Sequence, residues 1–197
     1  MISMSALDAL LERVRECRIC AAHLPLGPRP VLVCRSTARL LVVGQAPGTR
    51  VHRTGIPWND PSGDRLRQWM GLSREQFYGH PAMAIMPMGF CYPGKGKSGD
   101  LPPRKECAEE WHESLLALMP DIELTLVIGQ YSQAHYFPGE RQQGVTERVR
   151  RWAEYLPDYF PLPHPSPRNN LWLRKNPWFE NETVPALSRR VKQLMDC

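Results

Sequence analysis

The chain has 197 residues, 42% of them hydrophobic and 23% charged, which suits one domain with a sizeable core and is too short for two full catalytic domains. Its longest aliphatic stretch, Leu40 to Val43, is far below the ~20 residues that span a bilayer, and Glu12, Arg13, Arg15 and Glu16 interrupt any apolar leader. A net charge of +5 permits a polyanionic partner without requiring one, and 20 prolines argue against a simple helical bundle.

In chain order, Ser5 can cap a first helix whose Leu7, Leu10, Leu11 and Val14 recur at helical spacing. The Pro25 to Pro30 segment ends it. Ala38 to Val43, stopped by Gly44, reads as a strand buried on both faces. Helices are expected over Asp64 to Met70 and Ser73 to Tyr78, and a second strand over Ala82 to Met86. Arg104 to Met119 is the clearest helix, with Cys107, Trp111, Leu115 and Leu118 on one side. Leu124 to Ile128 followed by Gly129 repeats the strand-then-glycine pattern. A helix over Gln143 to Tyr155, a strand over Tyr159 to Leu162 and a last helix over Phe179 to Met195 complete the series. The alternation predicts an α/β fold, a three-layer α/β/α sandwich on a short four-stranded parallel sheet.

Ligands of such sheets bind beyond the carboxyl ends of the strands. Three unusual segments follow strand ends here: Gly44 to Gly63, Pro87 to Leu101 and Pro163 to Asn176. In the first, Gly44 and Gly48 let the backbone approach a ligand, while Pro47 and Pro57 stiffen the loop. Trp58 lies outside any periodic apolar stripe; it can stack on a planar ligand or pack as a lid on the core. In the third, His164 sits between two prolines and can donate a hydrogen bond to a developing anion, or serve as a structural turn histidine. Ser166 can pinch a phosphate and Arg168 adds charge.

GQAPG, then GIPW and SG, then HPSPRN resemble the uracil-DNA glycosylase superfamily. Gly44, Pro47, Gly48, Gly55, Pro57, Trp58 and Gly63 are similar to the first motif of its iron–sulfur branch, family 4. His164 to Asn169 resemble the second motif of the single-strand-selective monofunctional branch. The resemblance implies a substrate pocket of Gly44, Ala46, Pro47, Gly48, Trp58 and Phe90. It implies catalytic roles for His164, Gln45 and His52, and DNA contacts from Ser166, Arg168, Asn169, Arg174 and Lys175.

Six cysteines in a chain without a leader read as reduced thiols. Cys34 and Cys197 suit small buried hydrophobes. Cys17 and Cys20 form a C-x2-C pair, and Cys91 and Cys107 are separated by fifteen residues. The family 4 resemblance implies that these four hold a [4Fe–4S] cluster, stapling the first helix to the loop after the second strand. The same four thiolates suit tetrahedral zinc, and no metal at all is the third alternative.

Two departures stand out. Family 4 has a glutamate where this chain has Gln45, and the best-known branch has an aspartate at the position of Ala46; His52 is a substitute candidate, and Asp60 and Asp64 are the nearest carboxylates. The asparagine that grips uracil would align near Pro87. The expectation is a monomeric, cytoplasmic DNA-repair glycosylase that flips a deaminated base, uracil first, out of damaged DNA and hydrolyses its N-glycosidic bond. Leu171, Trp172 and Leu173, beside Arg174 and Lys175, read either as a wedge into the base stack or as a hydrophobic turn packed on the domain. The alternatives in function are a non-catalytic damage sensor, for which Gln45 argues, and a small-molecule base or nucleotide binder.

Overall fold

Alternate residues of the first strand feed two different cores. The computed structural model describes residues 4–140 and 142–196, so Cys197 lies outside the described residues. In β1 (Leu40–Val43), Leu40 and Val42 join one buried cluster while Leu41 and Val43 join another. In β2 (Met83–Ile85), Met83 and Ile85 take the first side and Ala84 the second. This two-sided burial explains why both strands read as unbroken apolar runs. A small antiparallel hairpin follows, β3 (Lys95–Gly96) with β4 (Gly99–Asp100), and then β5 (Leu124–Ile128) and β6 (Tyr159–Leu162). The main sheet is four-stranded, in the order β2-β1-β5-β6 and parallel throughout, with Leu40 opposite both Met83 and Leu124.

The helices are α1 (Ala6–Arg15), α2 (Thr49–Thr54), α3 (Pro61–Met70), α4 (Arg74–Gly79), α5 (Glu113–Ala117), α6 (Gly129–Tyr136), α7 (Val145–Arg150), α8 (Asn170–Lys175) and α9 (Val184–Met195). Ser5 caps α1 as expected: its Oγ accepts from the Asp8 amide at 3.1 Å, and the Asp8 carboxylate returns to Ser5. Leu7, Leu10, Leu11 and Val14 then pack with Trp111 and Leu115 on one face of the sheet. Leu66 and Met70 of α3, with Leu187, Val191 and Leu194 of α9, cover the other. The architecture is the three-layer α/β/α sandwich that the alternation predicts.

Three expected helices differ in detail. The helical run within Arg104 to Met119 contains a wide turn, Ala108–His112, before α5. The extra residue in that turn rotates His112 inward, where its Nε2 donates to the Pro87 carbonyl at 3.1 Å. The Gln143 to Tyr155 helix is two pieces, α7 and a tight turn at Trp152–Tyr155, because Trp152 swings in to stack on Phe160 at 4.9 Å. The last helix opens with another wide turn, Phe179–Thr183, just before Pro185, which has no N–H to donate.

Candidate active site

The three loops converge on one cleft of about 500 Å³ at the carboxyl ends of the strands. Gly44 to Gly48, Trp58, Asp60 and Ser62 form one wall. Pro87 and Ser98 to Asp100 form the second, and His164, Ser166, Arg168 and Asn169 the third; Gln130 and Tyr131 of α6 complete it. β5 passes into α6 without a loop because Gly129 takes a left-handed φ of 82°, and the His164 side chain lies close against it.

His164 is held as a donor. The Ser166 amide donates to its Nδ1 at 3.2 Å, which fixes the neutral ring with the proton on Nε2. Burial lowers its pKa, against the opposing pull of the Asp60 carboxylate, so the ring stays neutral near pH 7. The loop is braced from both sides. Asn169 Nδ2 donates to the His164 carbonyl at 2.7 Å, while Arg65 of α3 donates to the Ser166 carbonyl and to the Asn170 side chain at 3.2 and 2.7 Å. Ser166 Oγ accepts from the Arg168 amide, and Arg168 Nη1 reaches the Ser98 carbonyl at 3.1 Å.

Trp58 faces His164, with ring centroids 5.8 Å apart and planes 34° apart. Its φ of 56° is unusual for a side-chain-bearing residue and costs ~1–2 kcal/mol. Three neighbours hold it there. The buried Arg67 guanidinium donates to the Trp58 carbonyl at 3.2 Å and lies over the Phe77 and Tyr78 rings. Tyr78 donates its hydroxyl to the Pro57 carbonyl at 2.8 Å. A Cβ on Gly63 would stand 1.7 Å from the Trp58 carbonyl oxygen, so only glycine fits. Trp58 both lines the cleft and packs against the core, which unites the two readings of it.

The model of the uracil DNA glycosylase superfamily matches residues 31–188. The chain belongs to the uracil DNA glycosylase superfamily. Membership gives it a function of the DNA-glycosylase type and makes DNA its expected partner. No described helix is long and apolar enough to cross a membrane.

Not every expected site residue of this superfamily member reaches the cleft. Phe90 is a correction: it is buried on the far side of the sheet end, 5.5 Å from His112 and stacked on it, with its amide donating to Cys107 Sγ. The backbone after β2 explains this. Met88 and Gly89 donate to the Gly44 and Gln45 carbonyls, and the alternation of the extended chain turns Phe90 away. His52, on α2, stands 6.3 Å from the Tyr92 ring with its Nδ1 buried and unpartnered among the described residues, outside the cleft lining. Burial lowers its pKa, and Arg29 lowers it further. Arg174 and Lys175 are exposed on α8, beside Leu171, which is 59% exposed. Trp172 instead packs on Trp178 and Phe179, and Leu173 is buried. Gln45 lines the cleft, but its Nε2 donates to the Leu101 carbonyl at 3.3 Å. Asp64 is bound to Arg67 at 2.5 Å.

Asp100 was invisible to motif reading. It lies on a two-residue strand in a glycine-rich hairpin, with no apolar alternation to announce it, yet it lines the cleft.

The four clustered cysteines meet elsewhere. Cys17, Cys20, Cys91 and Cys107 line one small cavity of about 20 Å³, walled by Leu24, Pro28, Pro30, Phe90 and Arg104. The superfamily match begins after Cys17 and Cys20. Burial pushes the Cys91 thiol up to about 11 and the Cys107 thiol up to about 12. Among the described residues, no three His, Cys, Asp or Glu side chains stand close enough together to grip a single metal ion. Cys34 is buried apart from them, as a small hydrophobe would be.

Proposed function

We propose that the protein is a monofunctional DNA glycosylase that extrudes a deaminated base, uracil first, into the cleft and hydrolyses its N-glycosidic bond. The observation that carries this reading is the tautomer lock on His164, a neutral donor facing the Trp58 ring in a cleft of about 500 Å³, roomy enough to admit a base. In a dissociative cleavage the leaving base gathers negative charge. A fixed Nε2–H is most useful there, because it needs no reorganisation as that charge forms. Trp58 would stack on the flipped base. The base edge would meet backbone groups near Pro87 and the polar ends of Gln130 and Tyr131, since no asparagine stands at the end of β2. Exposed Leu171, with Arg174 and Lys175 on the same short helix, suits insertion into the base stack beside phosphate contacts.

The test is incubation of the purified protein with oligonucleotides carrying uracil, hypoxanthine or xanthine, followed by alkali. An alkali-dependent nick at the damaged base is the expected result. Binding to the same oligonucleotides without any nick would favour a damage sensor, the reading to which the uncharged and hydrogen-bonded Gln45 lends support.

For the cysteines we propose a [4Fe–4S] cluster. The cavity brings together four thiols, the usual protein complement of such a cluster. Arg104 beside Cys20 would offset part of the added negative charge. Such a cluster would supply a structural cross-link. Absorbance near ~400 nm with bound iron is expected; zinc, or no metal, would refute the assignment.

A further inference from the structure

We infer that Asp100 provides the anion of the cleft: it steadies the cationic sugar and takes the proton of the attacking water. This inference rests on the glycosylase reading above. Heterolysis of the glycosidic bond leaves its electron pair on the base and a positive charge on the sugar. Water then bonds to the sugar carbon and must lose a proton. Where the superfamily resemblance implies an acidic residue, the first loop has the neutral Gln45 and Ala46.

Two carboxylates line the cleft, Asp60 and Asp100. Asp60 has one oxygen committed as the cap of α3, its Oδ1 accepting from the Gly63 amide at 2.8 Å. No hydrogen bond or ion pair among the described residues engages the Asp100 side chain. Its Oδ2 lies 3.5 Å from where a Cβ on Gly48 would sit, so the carboxylate faces the first loop's backbone.

The hairpin that carries it is fixed by both other loops. Gln45 Nε2 holds the carbonyl of Leu101, the next residue, at 3.3 Å. Arg168 Nη1 holds the Ser98 carbonyl at 3.1 Å, beside a Gly99 whose φ of 147° disfavours any side chain. Gln45 is thus a positioning residue, which gives its amide a purpose that a carboxylate could not serve. Asp100 is exposed at the rim as a residue, yet the cleft walls desolvate its carboxyl enough to raise its pKa. Arg168 and Lys95 pull against that rise and Asp60 adds to it; the Tyr92 phenol also faces it. A raised carboxyl is a better proton acceptor.

Asp100→Asn is isosteric at a position without partners, so the fold should persist; melting temperature and affinity for a uracil-containing oligonucleotide serve as controls. Single-turnover cleavage should fall about 10²–10³-fold, with the affinity kept within about threefold. The acidic limb of the pH–rate profile should disappear. A variant that cleaves within about threefold of the unmodified protein, with its acidic limb intact, would overturn the role of Asp100 and leave the glycosylase reading standing. An unmodified protein that cleaves no deaminated base would overturn both.

Discussion

The cleft and the cysteine cavity are built on opposite terms. The cleft, about 500 Å³ and polar, is tied together by side chains that reach across loops: Arg65 to the HPSPRN turn, Arg67 to Trp58, Arg168 to the hairpin and Gln45 to Leu101. The cysteine cavity, about 20 Å³ and apolar, gathers three thiols from segments with almost no regular structure and the fourth, Cys107, from the start of a helical run. Between α1 and β1 the only helical element is the short turn Ala21–His23. The first region is rigid by its own hydrogen bonds. The second has thiols in place of braces, so a group bound by those thiols would do there what arginines do in the cleft. The comparison predicts a division of labour, in which damage to the cleft changes rate and damage to the cavity changes stability.

The largest expected effect tests the cleft side. His164→Ala should lower single-turnover cleavage by about 10²–10³-fold, the usual cost of losing one preorganised donor, while affinity and melting temperature hold. An equal loss of affinity would make His164 a binding residue and remove the contrast. On the other side, Cys107→Ser should abolish absorbance near ~400 nm and lower the melting temperature by on the order of 10 °C. Residual cleavage below that melting point should be close to normal. A variant as stable as the unmodified protein would show that the cavity is held by packing alone.

Much of this contrast is legible in the sequence, though unevenly. The strands β1 and β2 announce themselves as unbroken apolar runs because both faces of each are buried, and β5 and β6 as short, mostly apolar runs interrupted by Thr125 and Pro161. His164, Trp58 and the glycines around them stand out because prolines and special backbone geometry leave marks in composition. The hairpin β3–β4 leaves none, since two residues per strand cannot show alternation. Asp100 was missed with it. Phe90 was misassigned for a different reason: which way a side chain points after a strand depends on the backbone pairing of Met88 and Gly89 with the first loop, a long-range fact. The short α2 and α8, of six residues each, owe their existence to tertiary support and carry little periodic signal.

A smaller effect probes the brace behind Trp58. Arg67→Met keeps the stem between Phe77 and Tyr78 but loses the bonds to the Trp58 carbonyl and the Tyr78 hydroxyl. We expect about 2 kcal/mol of destabilisation and a drop in cleavage larger than the stability loss explains, because Trp58 would relax from its left-handed φ. Cleavage that falls only in step with unfolding, followed by calorimetry, would mean that Trp58 holds its conformation unaided.

The smallest effect concerns His112, which stands between the regions. Its Nε2 fixes the Pro87 carbonyl at the cleft wall while its ring stacks on Phe90 at the cysteine cavity. Burial lowers its pKa to about 4, with the Pro87 hydrogen bond opposing and His135 adding to the shift. The folded protein therefore keeps the ring neutral between about pH 4 and 6.5, where the unfolded chain takes up a proton. Stability should be full above pH ~6.5 and fall as the pH drops toward 4. His112→Gln can still donate an N–H toward the Pro87 carbonyl and cannot titrate, so its stability curve should be flatter over that window. If the two curves run parallel in denaturant titrations, the ring is not the source of the acid sensitivity, and the wall between cleft and cavity is held by backbone bonds instead.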